Sequence, residues 1–344
     1  MKAIVIHGPK DLRIEEQEPT FLSQGEVEIE LKAGGICGSD LHYFNNGGFG
    51  AIRLREPMIL GHEVSGVVVQ ASTQSQLQTG DLVAVSPSRP CFDCDYCNKE
   101  HFNHCLNMRF YGSAMPMPHI QGAFSERLVV HDWQCNKMAE GISAHEAAFA
   151  EPFAVTLHGA KRAGDLRGKR VLVMGCGPIG ALTVIAAKAK GAAEIVAVDI
   201  LDSVLGKARE IGADKAINSL TSKDKLGTYK KDKGYFDVMF EATGNEQALR
   251  SGLEMIRPRG TLVQLGLGGD ISIPQNVIVA KEIEIRGSFR FHEEFAEAVE
   301  LINTRVVDLM PLLTRTFPLE EAVEAFETAS DKSKSMKVQI AFNT

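Results

Sequence analysis

The sequence predicts an α/β chain in two parts, a β-rich domain with polar loops and a doubly wound parallel sheet. Three observations predict it. Glu26–Lys32 alternates polar and apolar residues, the period of a strand with one wet face. From about Glu151 onward strands alternate with helices, the pattern of a parallel sheet crossed by helices. The length of 344 residues exceeds one ordinary domain and fits two.

Taken in order, Met1–Gly8 reads as a short strand ending in a turn. Its apolar run is too short for the core of a signal peptide. Val64–Gln70 and Asp81–Ser86 are β-branched runs bounded by glycine or proline, which completes a compact, mostly antiparallel first domain. Phe153–Ala163 reads as a helix. Gly168–Val173 then leads into a strand, a glycine turn, a helix over Pro178–Lys190 and a strand over Glu194–Asp199. A helix over about Ser203–Ile211 and strands at Tyr235–Phe240, Thr261–Leu265 and Ile283–Ser288 continue the alternation. Ser219–Lys233 is charged and poor in apolar residues, so it is expected as a solvated excursion. Beyond Arg290, two amphipathic helices, Phe295–Ile302 and Leu319–Ser330, precede a last strand, Lys337–Phe342, expected to return to the first domain.

Composition narrows the function. A net charge of −7 with pI near 5.8 disfavours nucleic acid or an acidic membrane as partner. No run of about 18 apolar residues is present, so no membrane span is expected. Four of the seven cysteines fall between Cys91 and Cys105. An odd count clustered in this way points to metal binding in a reducing compartment, the cytoplasm, rather than to a disulfide frame.

Cys91, Cys94, Cys97 and Cys105 offer four thiolates at spacings that one loop can wrap around a tetrahedral zinc ion. Four sulfurs leave no open coordination place, so that ion is structural. Cys135 and Cys176 stand alone and read as small buried residues. A second set of ligand types is spread over three loops: Cys37, His62, Glu63 and Glu151. Taken singly, Cys37 reads as a core thiol, His62 as a satisfied polar residue, and Glu151 as a helix cap ahead of Pro152. Their joint occurrence beside a separate four-thiol set favours an open, catalytic zinc. Such an ion lowers the pKa of an alcohol. Ser39 could then accept the alcohol proton and His42 pass it on; the alternatives are a turn serine and an exposed histidine.

Val171–Met174 runs into Gly175-Cys176-Gly177-Pro178-Ile179-Gly180 and then a helix. In this order the glycines allow the tight turn, close approach to a pyrophosphate and close helix–strand packing. Asp199 ends the following strand, where a carboxylate accepts from an adenosine ribose and repels a 2′-phosphate, favouring NAD over NADP. Glu241-Ala242-Thr243-Gly244 and Leu265-Gly266-Leu267-Gly268 end two later strands, on the side where ligands bind parallel sheets.

On these motifs the chain resembles the zinc-dependent medium-chain alcohol and polyol dehydrogenases over essentially its whole length. Cys37-Gly38-Ser39-Asp40-Leu41-His42-Tyr43 and Glu151-Pro152-Phe153-Ala154-Val155 look like the polyol branch. Asn107–Met115 and Arg286–Phe291 look like members acting on sugar acids. The resemblance implies a GroES-like catalytic domain over 1–152 and 291–344 and a Rossmann NAD-binding domain over 153–290. It implies two zinc ions per chain, with Cys37, His62, Glu63 and Glu151 at the catalytic one directly or through water. Ser39 and His42 fall on its proton relay. Gly175, Gly177, Pro178, Ile179, Gly180, Asp199, Thr243, Leu265, Gly266, Leu267, Ser288, Phe289 and Arg290 fall on cofactor contacts. Tyr43, Tyr111 and Arg290 would line the cleft of the substrate, a small sugar acid or polyol; a carboxylate there needs a cation, which Arg109 or Arg290 could provide, the alternative for Arg109 being a surface salt bridge. A homodimer or homotetramer is implied. Two departures stand out. Val204 occupies the place of an arginine usual in sorbitol-type enzymes, which keeps NADP open, and Phe291 replaces a common tyrosine. The rival readings are a sorbitol- or xylitol-type polyol dehydrogenase, a threonine-dehydrogenase-like enzyme, and a non-catalytic NAD-binding protein.

Overall fold

The computed structural model describes residues 1–18 and 21–342. The chain forms two compact units. One comprises Met1–Glu151, Phe295–Arg305 and Leu313–Thr344, the other Pro152–Glu294 and Val306–Leu312. The crossing into the second unit thus falls at Glu151/Pro152, and Val306–Leu312 goes with the parallel-sheet unit rather than with the flanking C-terminal residues.

In the first unit a seven-stranded sheet runs Cys135–Lys137, Leu82–Val85, Glu63–Ala71, Glu26–Gly35, Lys337–Ala341, Leu313–Pro318, and Arg127–His131 also pairs with Glu26–Gly35. The alternation read in Glu26–Lys32 is realised: Val27, Ile29 and Leu31 are fully buried while Glu28 and Glu30 are partly exposed. The register positions the site. Gly35 lies opposite Glu63 on one side and opposite Gln339 on the other. The end of one strand and the beginnings of two others therefore meet at one edge of the core. Beneath them pack Phe44, Phe124, Phe326 and Phe342, with ring centroids 5.3–6.4 Å apart. Each fully buried phenylalanine contributes about 1.5–3 kcal/mol over an exposed one, enough for this aromatic layer to fix the strand ends above it.

The second unit holds six parallel strands in the order Lys215–Asn218, Glu194–Asp199, Arg170–Met174, Phe236–Glu241, Ile256–Gln264, Glu284–Gly287. This is the doubly wound arrangement of dinucleotide-binding sheets, with the direction of winding changing beside Arg170–Met174. Helices cover both faces of such a sheet, so its strands carry apolar residues throughout, as Val171–Met174 does. The helix Pro178–Ala189 buries every residue from Gly180 to Ala187.

Several elements differ from the sequence expectation. Ser219–Lys233 is not wholly solvated: Lys223–Gly227 and Thr228–Lys233 are helical turns, and Leu226 and Tyr229 insert into the core of the second unit. Two apolar residues three apart suffice to anchor a charged run. Leu319–Ser330 begins as a 3₁₀ turn and becomes α-helical at Ala322. The helix Gly38–Asn46 carries too many polar residues for periodicity to reveal it. Among the described residues no helix is long and apolar enough to cross a membrane.

Candidate functional site

The first unit gathers two clusters of metal-ligand side chains. In the Cys91–Cys105 lobe all cysteines are unpaired thiols. The sulfurs of Cys91 and Cys105 lie 3.4 Å apart, Cys94 and Cys97 3.6 Å, and Cys91–Cys97 and Cys94–Cys105 each 4.0 Å. A tetrahedron with Zn–S bonds of about 2.3 Å has edges of about 3.8 Å, so the four sulfurs already frame one ion. Backbone N–H groups point at them: Cys91 and Asn107 donate to Cys105 Sγ at 3.2 and 3.3 Å, and Leu106 to Cys94 Sγ at 3.4 Å. Such donors favour thiolate. The Asp93 backbone N–H draws the Cys91 thiol down to about 6, whereas burial pushes Cys97 up to about 12. Without an ion the four cannot all be thiolates, and the ion supplies that charge.

The second cluster brings together Cys37, His62 and Glu63, whose ligand atoms lie within 4.8 Å of one another. Cys37 caps the helix Gly38–Asn46, and its N–H donates to Asp40 Oδ2 at 3.0 Å. The other Asp40 oxygen accepts from Gly61 N–H at 3.2 Å and lies 3.8 Å from His62 Nδ1. One fully buried carboxylate thus joins the loop bearing Cys37 to the loop bearing His62. Gly61 sits at φ +92°, and a Cβ there would lie 2.1 Å from Phe124, so the turn into His62 demands glycine. A Cβ on Gly35 would lie 2.1 Å from a Glu63 carboxylate oxygen, so Gly35 keeps room for that group.

Glu151 is 5% exposed and stands outside the three-residue set while still coupling to it electrostatically. Burial raises its carboxyl well above the usual range, and Glu63 adds to the shift. Burial also pushes the Cys37 thiol up to about 12, with Glu63 again adding. The sequence reading missed Lys337. This lysine is 4% exposed, forms an ion pair with Glu63 and donates to the Ile36 carbonyl at 3.1 Å. Burial opposes its charge, yet Glu63 and Cys37 outweigh that and its pKa is raised. Glu63, Cys37 and Glu151 act on Lys337 as a buried cation, and His62 Nδ1 has no hydrogen-bond partner among the described residues. A divalent ion is the charge this donor set lacks, and a thiol, an imidazole and a carboxylate suit zinc. The sequence reading also missed Phe110, whose ring lies 5.6 Å from that of His62.

The other predicted residues fall as follows. Ser39 is half-buried, and its backbone N–H faces the Cys37 sulfur. His42 is exposed one turn further on, 5.3 Å from Phe49, with a pKa lowered by burial and by Lys332. Tyr43 is 2% exposed and its oxygen accepts from Ala114 N–H at 3.0 Å. Tyr111 is 9% exposed and its hydroxyl meets Gln134. Arg109 lies in strand register with Arg89, beside the four-thiol lobe.

In the second unit Gly175 adopts φ +90°, and a Cβ on Gly180 would lie 1.7 Å from the Gly175 carbonyl. At Gly177, the N-cap of the helix Pro178–Ala189, a Cβ would meet nothing within 4 Å of protein. That opening at a helix N-terminus fits a pyrophosphate. Asp199 accepts from Cys176 N–H at 2.7 Å, Ile200 N–H at 2.6 Å and Leu201 N–H at 3.0 Å. Thr243 and Gly244 donate to the buried Glu241 carboxylate at the end of its strand. Leu265 and Gly266 donate to the Glu241 carbonyl, and Leu267 is 78% exposed. Ser288 Oγ is buried without a partner among the described residues. Arg290, at φ 54°, lies over the Phe289 ring at 5.0 Å.

A four-thiol lobe, a Cys–His–Glu set and a glycine-rich dinucleotide turn define a zinc- and NAD(P)-dependent dehydrogenase. Residues 23–140 match the alcohol dehydrogenase GroES-like domain and residues 178–304 the zinc-binding dehydrogenase domain. The chain is 42% identical to L-idonate 5-dehydrogenase (NAD(P)(+)) of Escherichia coli K12, over 99% of its own length and 98% of the relative's. The crystal structure of L-idonate 5-dehydrogenase from E. coli K-12 superposes with a TM-score of 0.95, covering 99% and 98% of the two chains. Sorbitol dehydrogenase of Bos taurus is 37% identical, over 98% and 95%. The chain belongs to the zinc-dependent medium-chain dehydrogenases, as its motifs foretold, and its cofactors are zinc and NAD(P).

Proposed function

We propose that the chain reversibly oxidises a secondary alcohol of a sugar acid with NAD(H), L-idonate to 5-keto-D-gluconate being its reaction. When bound, zinc supplies a Lewis acid that lowers the alcohol pKa, and the nicotinamide supplies the hydride acceptor. Cys37, His62 and Glu63 would hold the metal, with Glu151 beside them, directly or through water. Asp40 orients the Cys37 and His62 loops. Ser39 takes the alcohol proton. His42, three residues on and on the same helical face, carries it toward water. Burial and Lys332 lower the pKa of His42, which favours the neutral imidazole, the form that can accept a proton.

Gly175, Gly177 and Gly180 with the helix Pro178–Ala189 receive the pyrophosphate, and Asp199 the adenosine ribose. Thr243, Leu265–Leu267 and Ser288–Arg290 border the cofactor. Arg290 is the cation we assign to the substrate carboxylate. Its replacement by Gln should raise KM for L-idonate far more than for sorbitol. Equal effects on both would remove it from that role.

The observation that carries this reading is the convergence of Cys37, His62 and Glu63 in a chain 42% identical from end to end to an L-idonate 5-dehydrogenase. A panel of L-idonate, sorbitol, xylitol and threonine tests it. The expected outcome is a kcat/KM for L-idonate at least about tenfold above the others, a difference of about 1.4 kcal/mol in transition-state binding. A preference for sorbitol, favoured by the 37% identity to a sorbitol dehydrogenase, would make this a polyol enzyme. The same reading makes the protein a cytoplasmic homodimer or homotetramer. The four gathered thiols support a reducing compartment.

A further inference from the structure

The pocket of 390 Å³ beside the four-thiol lobe is unclaimed by the reaction above. Two arginines line it. Arg89 and Arg109 are directly opposed across a two-stranded ribbon, where like charges repel. Among the described residues no carboxylate pairs with either, although Asp and Glu outnumber Lys and Arg by 44 to 37. Three rings also line it. His131 and Trp133 stack at 5.7 Å with an interplanar angle of 11°, and Phe92 meets Trp133 edge-on at 5.2 Å. Phe92 and Trp133 are 50% and 44% exposed, an unusual investment of large aromatic surface in water. Pro90, Cys91 of the four-thiol lobe and the Asn107 side chain, which donates to Cys91 Sγ at 3.6 Å, complete the lining.

We propose that this pocket binds a small aromatic phosphate, its ring against Trp133 and Phe92 and its phosphate bridging Arg89 and Arg109. Two adjacent guanidinium forks match the charge and oxygen geometry of a phosphate dianion better than that of a single carboxylate. The cavity has the size of a small-molecule site. An aromatic ligand accounts for the exposed rings, which an inorganic anion would leave unused.

Trp133 is the single tryptophan of the chain, so its fluorescence reports on this pocket. Zinc-loaded enzyme titrated with phenyl phosphate should show a saturable change, with inorganic phosphate and phenol each binding at least about tenfold more weakly. Arg89→Gln should weaken phenyl phosphate binding about tenfold, the loss of one charge-assisted pair, with kcat on the alcohol unchanged. Arg89→Lys, which keeps the charge and loses the fork, should fall between and serves if the glutamine variant does not fold. A non-saturable signal, or equal affinity in wild type and both variants, overturns the proposal. So does a Trp133 spectrum that shifts with protein concentration alone, because a second copy would then cover the pocket.

Discussion

Lys337 shows how one side chain can matter without being legible. In the sequence it is an ordinary lysine at the start of a strand. Strand pairing places it 4% exposed against Glu63. Breaking a buried ion pair from one side costs about 3–5 kcal/mol. Lys337→Met should therefore lose stability on that order in urea unfolding of the zinc-free protein, and markedly less once zinc is bound. Equal losses in both states would mean that lysine and metal do not share the same carboxylates. Glu294 offers a residue-scale test in the second unit. It is 4% exposed and 3.2 Å from His158 Nδ1. Burial opposes its ionisation, but the His158 contact and backbone N–H groups outweigh that and hold its carboxyl at about 2, against 4.5 unperturbed. A depressed carboxyl stabilises the fold above the unfolded pKa. The stability gap between wild type and Glu294→Gln should be full above pH about 4.5 and close as pH falls toward about 2. Unfolding midpoints measured across that window check it, and a gap that widened in acid would contradict it.

At the scale of elements, the two tightest features are turns. The glycines of Gly175–Gly180 are not equivalent. A Cβ on Gly180 would strike the Gly175 carbonyl at 1.7 Å, whereas one on Gly177 would meet no protein. Gly180→Ala should distort the strand–helix junction and cost about 1–3 kcal/mol of stability. Gly177→Ala should change stability by no more than about 0.5 kcal/mol and raise Kd for NAD. Thermal unfolding and cofactor titration of the two variants separate these effects. The dinucleotide turn was readable because its chemistry is local and contiguous. The helix Gly38–Asn46 was not, because its ends are secured by the Asp40 capping contacts and by Gly47 at φ 66° rather than by an apolar stripe.

At the scale of the whole molecule, the metal-site unit is assembled from distant chain segments. Strand Lys337–Ala341 pairs with Glu26–Gly35 more than 300 residues earlier. Deleting the residues after Met336 removes that strand and Lys337 together, and zinc per chain should fall below two as the sheet loses the strand between Glu26–Gly35 and Leu313–Pro318. The two metal clusters should also separate by function. Cys97→Ser should leave about one zinc per chain and lower the unfolding temperature while the remaining folded protein keeps its turnover. Cys37→Ser should likewise leave one zinc, with the unfolding temperature little changed and turnover lost. Metal analysis with melting curves and kinetics distinguishes them, and identical behaviour of the two variants would refute separate sites.

The sequence alone determined the fold class, the four-thiol lobe, the glycine turn and the family. Each is written in contiguous residues whose spacing matches a covalent or hydrogen-bonding geometry. It also proposed Cys37, His62, Glu63 and Glu151 as one metal-ligand set, from ligand types alone. Only the tertiary structure decided that Cys37, His62 and Glu63 converge, that Glu151 stands just outside them, that Lys337 and Phe110 join them, and that Arg109 lies with Arg89 beside Trp133. Those relations depend on strand register and on loops brought together from segments tens to hundreds of residues apart, and a one-residue shift in register would turn every side chain of a strand to its other face.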